Sequence, residues 1–262
     1  MRSIHRLGAS AFAVMALALT CVSTLRAQTE PAPKWSVVTI TTIKPDMRTE
    51  YEAWQKQLTA AYKKAEVPSR AVLQTVMGDL FEYVSVAPIA HFADLDGLTP
   101  VEKALGKDPA ANLMKKGSAY LTSARRMATL DMEELTIRNK TEPAPFAVVT
   151  IMRLASGKAP EFTAWMKDEY LPAMKKAELK NFWVSRTVFG GDPNERVTVR
   201  PMKALSEIDA GPLTVKALGE EGSRKLMSHT AGIVESVQFR IMKYRPDLSY
   251  ELAAPVKSAS AK

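Results

Sequence analysis

The feature that most constrains this 262-residue chain is that it repeats itself. Val37-Val38-Thr39-Ile40 returns as Val148-Val149-Thr150-Ile151, and Ala53-Trp54 returns as Ala164-Trp165. Lys63-Lys64-Ala65-Glu66 returns as Lys175-Lys176-Ala177-Glu178, and Lys103-Ala104-Leu105-Gly106 as Lys216-Ala217-Leu218-Gly219. Leu113-Met114 and Ser123 answer to Leu226-Met227 and Ser236. Each copy must be one supersecondary unit able to bury a face against its twin. Positions alike in both copies serve the shared fold. Positions that differ are candidates for a single site.

The copies span residues 35–138 and 146–248, each about a hundred residues, a normal size for one small module. Ahead of them, Arg2 and Arg6 followed by the apolar run Leu7 to Cys21 read as an export signal cleaved after Ala27. Residues 28–34 are then a short linker and the protein is periplasmic or secreted. The apolar run is too short to span a membrane, so no span is expected after cleavage. Ala18-Leu19-Thr20 before Cys21 is a weak lipid-attachment match, which argues against a lipoprotein. Residues 139–145 (Asn139 to Pro145) are polar and proline-punctuated, a linker between copies. From residue 249 to 262 the chain lacks apolar periodicity and is expected to be a disordered tail.

Cleavage removes Arg2, Arg6 and Arg26 and no acid, so the formal net charge falls from +8 to +5. That excess favours anionic partners. The lysines are scattered and no groove-reading motif accompanies them, so nucleic acid is not an expected partner. Cys21 is the single cysteine. The mature chain therefore has neither catalytic thiol nor thiolate metal site, and packing alone holds it.

Within each copy the order reads strand, helix, strand, strand, helix, strand. The β-branched runs Val37 to Thr42 and Val148 to Met152 open the copies. Tyr51, Trp54, Leu58, Ala61 and Ala65 recur at helical spacing, as do Phe162 and Trp165 and then Met174 and Ala177. Hairpins follow, turning at Gly78 and at Gly190-Gly191. The offset between copies is 111 at Trp54/Trp165 and 112 at the lysine pairs, placing one extra residue near Pro172. In the first copy Thr99-Pro100-Val101-Glu102 is a capping box, and Gly106 can end that helix. In the second, Gly222-Ser223 is expected to start the helix. Closing strands are expected at Met127 to Glu133 and Val237 to Tyr244.

A β-α-β-β-α-β order is the ferredoxin-like module, an antiparallel sheet with both helices on one face. Val38, Ile40, Val84 and Val86, with Val149, Ile151, Val197 and Val199, would leave the bare faces apolar. Burying each such side chain is worth about 1.5–3 kcal/mol. The expected fold class is thus α+β, two tandem modules packed sheet to sheet as a pseudo-dimeric α/β barrel wrapped by helices. This pattern resembles the dimeric α/β-barrel superfamily, in a fused tandem form, with its antibiotic-biosynthesis monooxygenase, EthD-like and stress-responsive barrel families. The resemblance implies an apolar ligand pocket between sheet and helices of a module. It also brings cofactor-free oxygenases, isomerases, haem-binding proteins and proteins of unknown role into view, so function does not transfer from the fold.

Trp54 and Trp165 occupy equivalent places and read as core. Trp183 stands where the first copy has Ala71, so it either lines a pocket or fills the core. Arg153, Arg186, Arg200 and Arg240 fall one on each strand of the second copy, against Thr42, Gln74, Ala87 and Met127. They either point outward and pair with acids such as Glu82, Asp131 and Glu133, or converge on a carboxylate ligand. His91 reads as a loop residue. His229, opposite Lys116, is a boundary histidine or, by the resemblance, an axial haem ligand. No metal-ligand spacing, nucleophile elbow or phosphate loop is present, and no motif calls for a cofactor. Three readings stay open: a monomeric binder of a small, partly apolar and anionic molecule, a cofactor-free oxygenase or isomerase using the same pocket, and a filled structural module.

Overall fold

A computed structural model describes residues 34–139 and 144–252. The export signal, most of both linkers and residues 253–262 lie outside the described residues. The first repeat contributes β1 (Trp35–Ile43), α1 (Arg48–Lys64), β2 (Ser69–Met77), β3 (Glu82–Ile89), α2 (Pro100–Leu105), α3 (Lys107–Ser118) and β4 (Leu121–Asp131). The second contributes β5 (Phe146–Leu154), α4 (Ala159–Trp165), α5 (Leu171–Lys176), β6 (Trp183–Phe189), β7 (Glu195–Met202), α6 (Leu213–Ser228), β8 (Val234–Tyr244) and the short β9 (Tyr250–Glu251).

The strands run in the order β2-β3-β1-β4-β6-β7-β5-β8, and β8 returns to β2. Every pairing is antiparallel, so two ferredoxin-like sheets close into one eight-stranded barrel. The sheets do more than face each other. β4 pairs with β6 and β8 with β2, and closure of this kind removes the exposed edges that two separate sheets would carry. Register puts Val38 opposite Val86, Ile40 opposite Val84, Val149 opposite Val199 and Ile151 opposite Val197, and these valines and isoleucines line the interior.

Outside the barrel each sheet packs on its helices. Ile43, Tyr51, Trp54, Leu58 and Val72 make the first core, and Leu154, Phe162, Trp165, Met174 and Val184 the second. Both tryptophans donate to a helix carbonyl, Trp54 Nε1 to Leu113 O at 2.9 Å and Trp165 Nε1 to Leu226 O at 3.1 Å. Their identity in the two copies is an identity of role.

Several local expectations shift. Thr99 caps α2 as its box predicts, and Gly106 breaks the chain there at φ 85°. In the second repeat the break falls at Gly219, φ 73°, the repeat-equivalent of Gly106, and not at Gly222-Ser223. Only a residue tolerant of positive φ suits that corner, which explains why both copies keep a glycine in it. β4 and β8 begin earlier than expected, at Leu121 and Val234: the first half of β4 is exposed and mostly polar, and β8 opens on exposed residues that include Val237 and Phe239. The extra residue near Pro172 forms a π turn, Met166–Tyr170, between α4 and α5, where α1 is one continuous helix. Residues 249–252 do not belong to the expected disordered tail. Ser249 Oγ accepts from Val72 N at 2.8 Å and Tyr250–Glu251 pairs with β2, so backbone and side-chain hydrogen bonds order residues 249–252.

Candidate functional site

Strand alternation sorts the residues singled out in the sequence onto opposite faces. Trp183 pairs with Val199 and lies on the barrel's inner face, half-buried, away from the helices. Arg240 shares that inner face and is consumed by structure. It forms an ion pair with buried Glu82 of the first repeat, reaches Asp79 at 3.8 Å and contacts Gln238. Arg153 sits at the exposed end of β5, paired with Asp192 at 2.7 Å and Glu235 at 2.5 Å. These three do not converge with the others on one ligand, because the alternation of β5, β6 and β8 turns them inward.

Arg186 and Arg200 point the other way, into the layer between sheet and helices, and Arg196 stands with them. Arg186 lies directly opposite Arg196 across β6 and β7. Arg196 is only 5% exposed, its Nη1 donates to the carbonyls of Pro193 and Glu195, and its buried Nε has no partner. Burial, and then the charge of Arg186, push it below the usual arginine range. Arg186 makes no hydrogen bond or ion pair among the described residues, and the carboxylate of Glu207 reaches Arg200 only at 3.9 Å. Leaving cations without counter-charge in a buried layer is costly.

The same layer of the first repeat is saturated. Tyr83, the counterpart of Arg196, donates to Glu52 Oε1 at 2.6 Å. Arg245 grips Glu52 with both Nη atoms, at 2.6 and 2.9 Å, and donates to Gln74, the counterpart of Arg186. Arg70 bonds Gln55 Oε1, Thr59 Oγ1 and Leu248 O, and Tyr51 bonds Thr41 and Gln55. In the second repeat Phe162, Thr163, Met166, Leu171 and Phe182 replace Tyr51, Glu52, Gln55, Thr59 and Arg70. Acid and polar partners vanish while arginines accumulate. That asymmetry marks the site.

Two further elements shape it. The π turn carries Tyr170, the counterpart of Leu58, onto Trp165 and Phe182, with ring centroids 5.2 and 5.9 Å apart. Burial pushes the Tyr170 hydroxyl up, and the charge of Arg200 pulls it back. On the far side, β8 presents Val237 and Phe239 in register with Met152 and Thr150 of β5, and Phe239 is 70% exposed. The counterpart of Phe239 is Arg126. The face thus runs from an open apolar edge on β8, across β5, to guanidinium groups on β7 and β6, about 10 Å away at two strand spacings and about 14 Å away at three. Comparison of the copies could have flagged Arg196 and Phe239; the arginine count taken one per strand passed over both.

His229 lies elsewhere. It follows the last turn of α6, its side chain 44% exposed, with Nδ1 2.7 Å from Glu169 Oε2. The groove it lines, about 310 Å³, is walled by Glu169, Pro172, Lys176, Leu218, Lys225 and their helix neighbours, and no strand residue contributes. A haem ligated there would sit in a groove lined by helix residues alone, outside the sheet–helix layer, so these residues do not fit that group. His91 is an exposed residue capping a short turn held by Asp94. Among the described residues no group of three or more His, Cys, Asp or Glu could hold a metal ion, and no helix is long and apolar enough to cross a membrane.

No protein-family model matches this sequence, and no curated protein matches it. Solved structures do share its architecture. An anthrone oxidase-like protein is 13% identical, with a TM-score of 0.59 over 88% of this chain and 98% of its own. A candidate monooxygenase from Lactobacillus acidophilus is 14% identical, with a TM-score of 0.58 over 84% and 96%. Chlorite dismutase from Candidatus Nitrospira defluvii, in complex with imidazole, is 12% identical, with a TM-score of 0.54 over 82% and 92%. The chain has the dimeric α/β-barrel fold of these proteins, with both modules in one polypeptide.

Proposed function

We propose that this is an exported, monomeric protein that binds a small, partly apolar anion, a planar carboxylate above all, in the sheet–helix layer of its second repeat. The observation that carries the reading is Arg196: buried, with an unpartnered Nε, facing Arg186, and lacking the acid its layer has in the first repeat. Guanidinium forks match carboxylates in geometry and charge. Arg196 and Arg186 would hold the carboxylate, Arg200 and Tyr170 would flank it, and Val237 and Phe239 would meet its apolar end. The arginine-led leader supports export, and closure of all eight strands within one chain supports a monomer.

A thermal-shift series with benzoate, salicylate and aliphatic carboxylates tests this. At a hundred times Kd a ligand stabilises by about 2.7 kcal/mol, which raises Tm by roughly 5–10 °C in a chain of this size. Arg196→Met should abolish that rise while leaving the unliganded Tm unchanged or higher. A panel without effect on the wild type, or a collapse of unliganded stability in the variant, would refute the reading.

A second reading shares the same residues. The pair Arg186 and Arg196 would also stabilise a phenolate or enolate, the electron-rich form in which a substrate meets oxygen or isomerises without a cofactor, and the similar structures include one named a monooxygenase and one named anthrone oxidase-like. Oxygen uptake or isomerisation by protein stripped of metal and flavin would favour it over binding alone. A filled structural module predicts neither binding nor turnover.

A further inference from the structure

We infer that His229 and Glu169 form a positioning pair that ties the π turn in the geometry setting Tyr170 beside the arginines, and so tune the anion site; the inference rests on that site being a ligand site. The two residues occur together only in the second repeat, where the first has Lys116 and Gln57 at the equivalent places. Those equivalent places line a matching groove in the first repeat, about 670 Å³ and unbridged, while the bridged one is about 310 Å³. The repeat with the arginine layer is therefore the repeat whose outer groove is strapped.

What the strap holds is specific. Glu169 lies inside the five-residue turn created by the inserted residue, and Tyr170 follows it directly. Its bond to His229 is the one side-chain hydrogen bond made by residues 166–170 among the described residues. A π turn departs from the regular i→i+4 ladder of the helix, and this contact ties it to a neighbouring element. The contact joins the turn to the end of α6 in the outer groove, while Tyr170 meets Trp165 and Phe182 at the core. Lys176 from α5 and Lys225 from α6 are the other charged groups lining this groove, and Glu169 is its single carboxylate.

Hydrogen exchange of residues 165–172, corrected for intrinsic rates, and salicylate titration test the pair in the wild type, His229→Gln, Glu169→Gln, the double variant and His229→Lys. Each glutamine variant should speed exchange in the turn and weaken salicylate by about three- to tenfold, and the double variant should do no more than either alone. His229→Lys should restore both, because an ammonium can still pair with the Glu169 carboxylate. Equal exchange and equal affinity in wild type and His229→Gln would overturn the inference, as would a loosening spread over the whole second repeat. If the wild type ignores salicylate while His229→Gln still loosens the turn, the anion-site reading falls and the tie itself stands.

Discussion

Leu135 and Leu248 hold equivalent places in the two repeats, both are wholly buried, and each lies in the core of the other repeat. The exchange extends to the next residue. Thr136 Oγ1 accepts from Val184 N in the second repeat, as Ser249 Oγ accepts from Val72 N in the first. After β4 and after β8 the chain crosses to the partner repeat and plugs it. Neither repeat is complete by itself, and the two are joined by exchanged plugs as well as by strand edges.

Leu135→Ala and Leu248→Ala should each cost about 2–5 kcal/mol, the range for a buried leucine in a packed core. Because each plug belongs to one repeat and stabilises the other, urea unfolding followed by circular dichroism should stay a single transition in both variants. Two separated transitions would show that the repeats are thermodynamically independent.

Glu52 links the repeats through Arg245, whose hydrogen bonds hold the Glu52 carboxyl below the usual carboxylate range. A lowered folded value means that the pair contributes fully above the ordinary carboxylate range and is lost as pH falls through the lowered value. Glu52→Gln should therefore destabilise by about 1.5–3 kcal/mol at neutral pH. The gap from wild type should narrow on acidification. Denaturant titrations at a series of pH values would check both, and a gap that widens in acid would contradict the assignment.

Gly117 packs so closely on Trp54 that a Cβ would lie 2.0 Å from Trp54 Cε2. The indole is itself held by its bond to Leu113 O. Gly117→Ala should thus cost about 1–3 kcal/mol through overpacking. Adding Trp54→Phe should recover part of that loss, and a double-mutant cycle in thermal unfolding would measure the coupling. Strict additivity would mean that the contact is relieved elsewhere.

Deleting Asp168 should convert α4, the π turn and α5 into one helix like α1, since the first repeat folds with one residue fewer there. The variant should stay folded, since α1 takes the same course in the first repeat without the extra residue. The near-ultraviolet dichroism of Trp165 and Tyr170 should change, because Tyr170 turns relative to its ring neighbours. An unfolded deletion variant would show that the inserted residue is required for the fold.

Much of this molecule is written locally. The repeat, the order of its elements, the capped start of α2 and the core role of Trp54 and Trp165 follow from spacing and side-chain type, because helical and strand periodicity is a property of neighbouring residues. The extra residue near Pro172 is visible as an offset, although its π form is not. Which arginines act together was decided elsewhere. Arg153 and Arg240 look equivalent to Arg186 and Arg200 in the chain, yet cross-strand register and closure of β8 onto β2 place the first two on the inner side and the others beneath the helices. Arg196 is conspicuous only once Glu52 and Arg245 are seen to satisfy the layer it mirrors. The crossing of Leu135 and Leu248 carries no local signature at all, since a buried leucine packs on whatever surface the closed barrel brings to it, and that surface comes from residues far away in sequence.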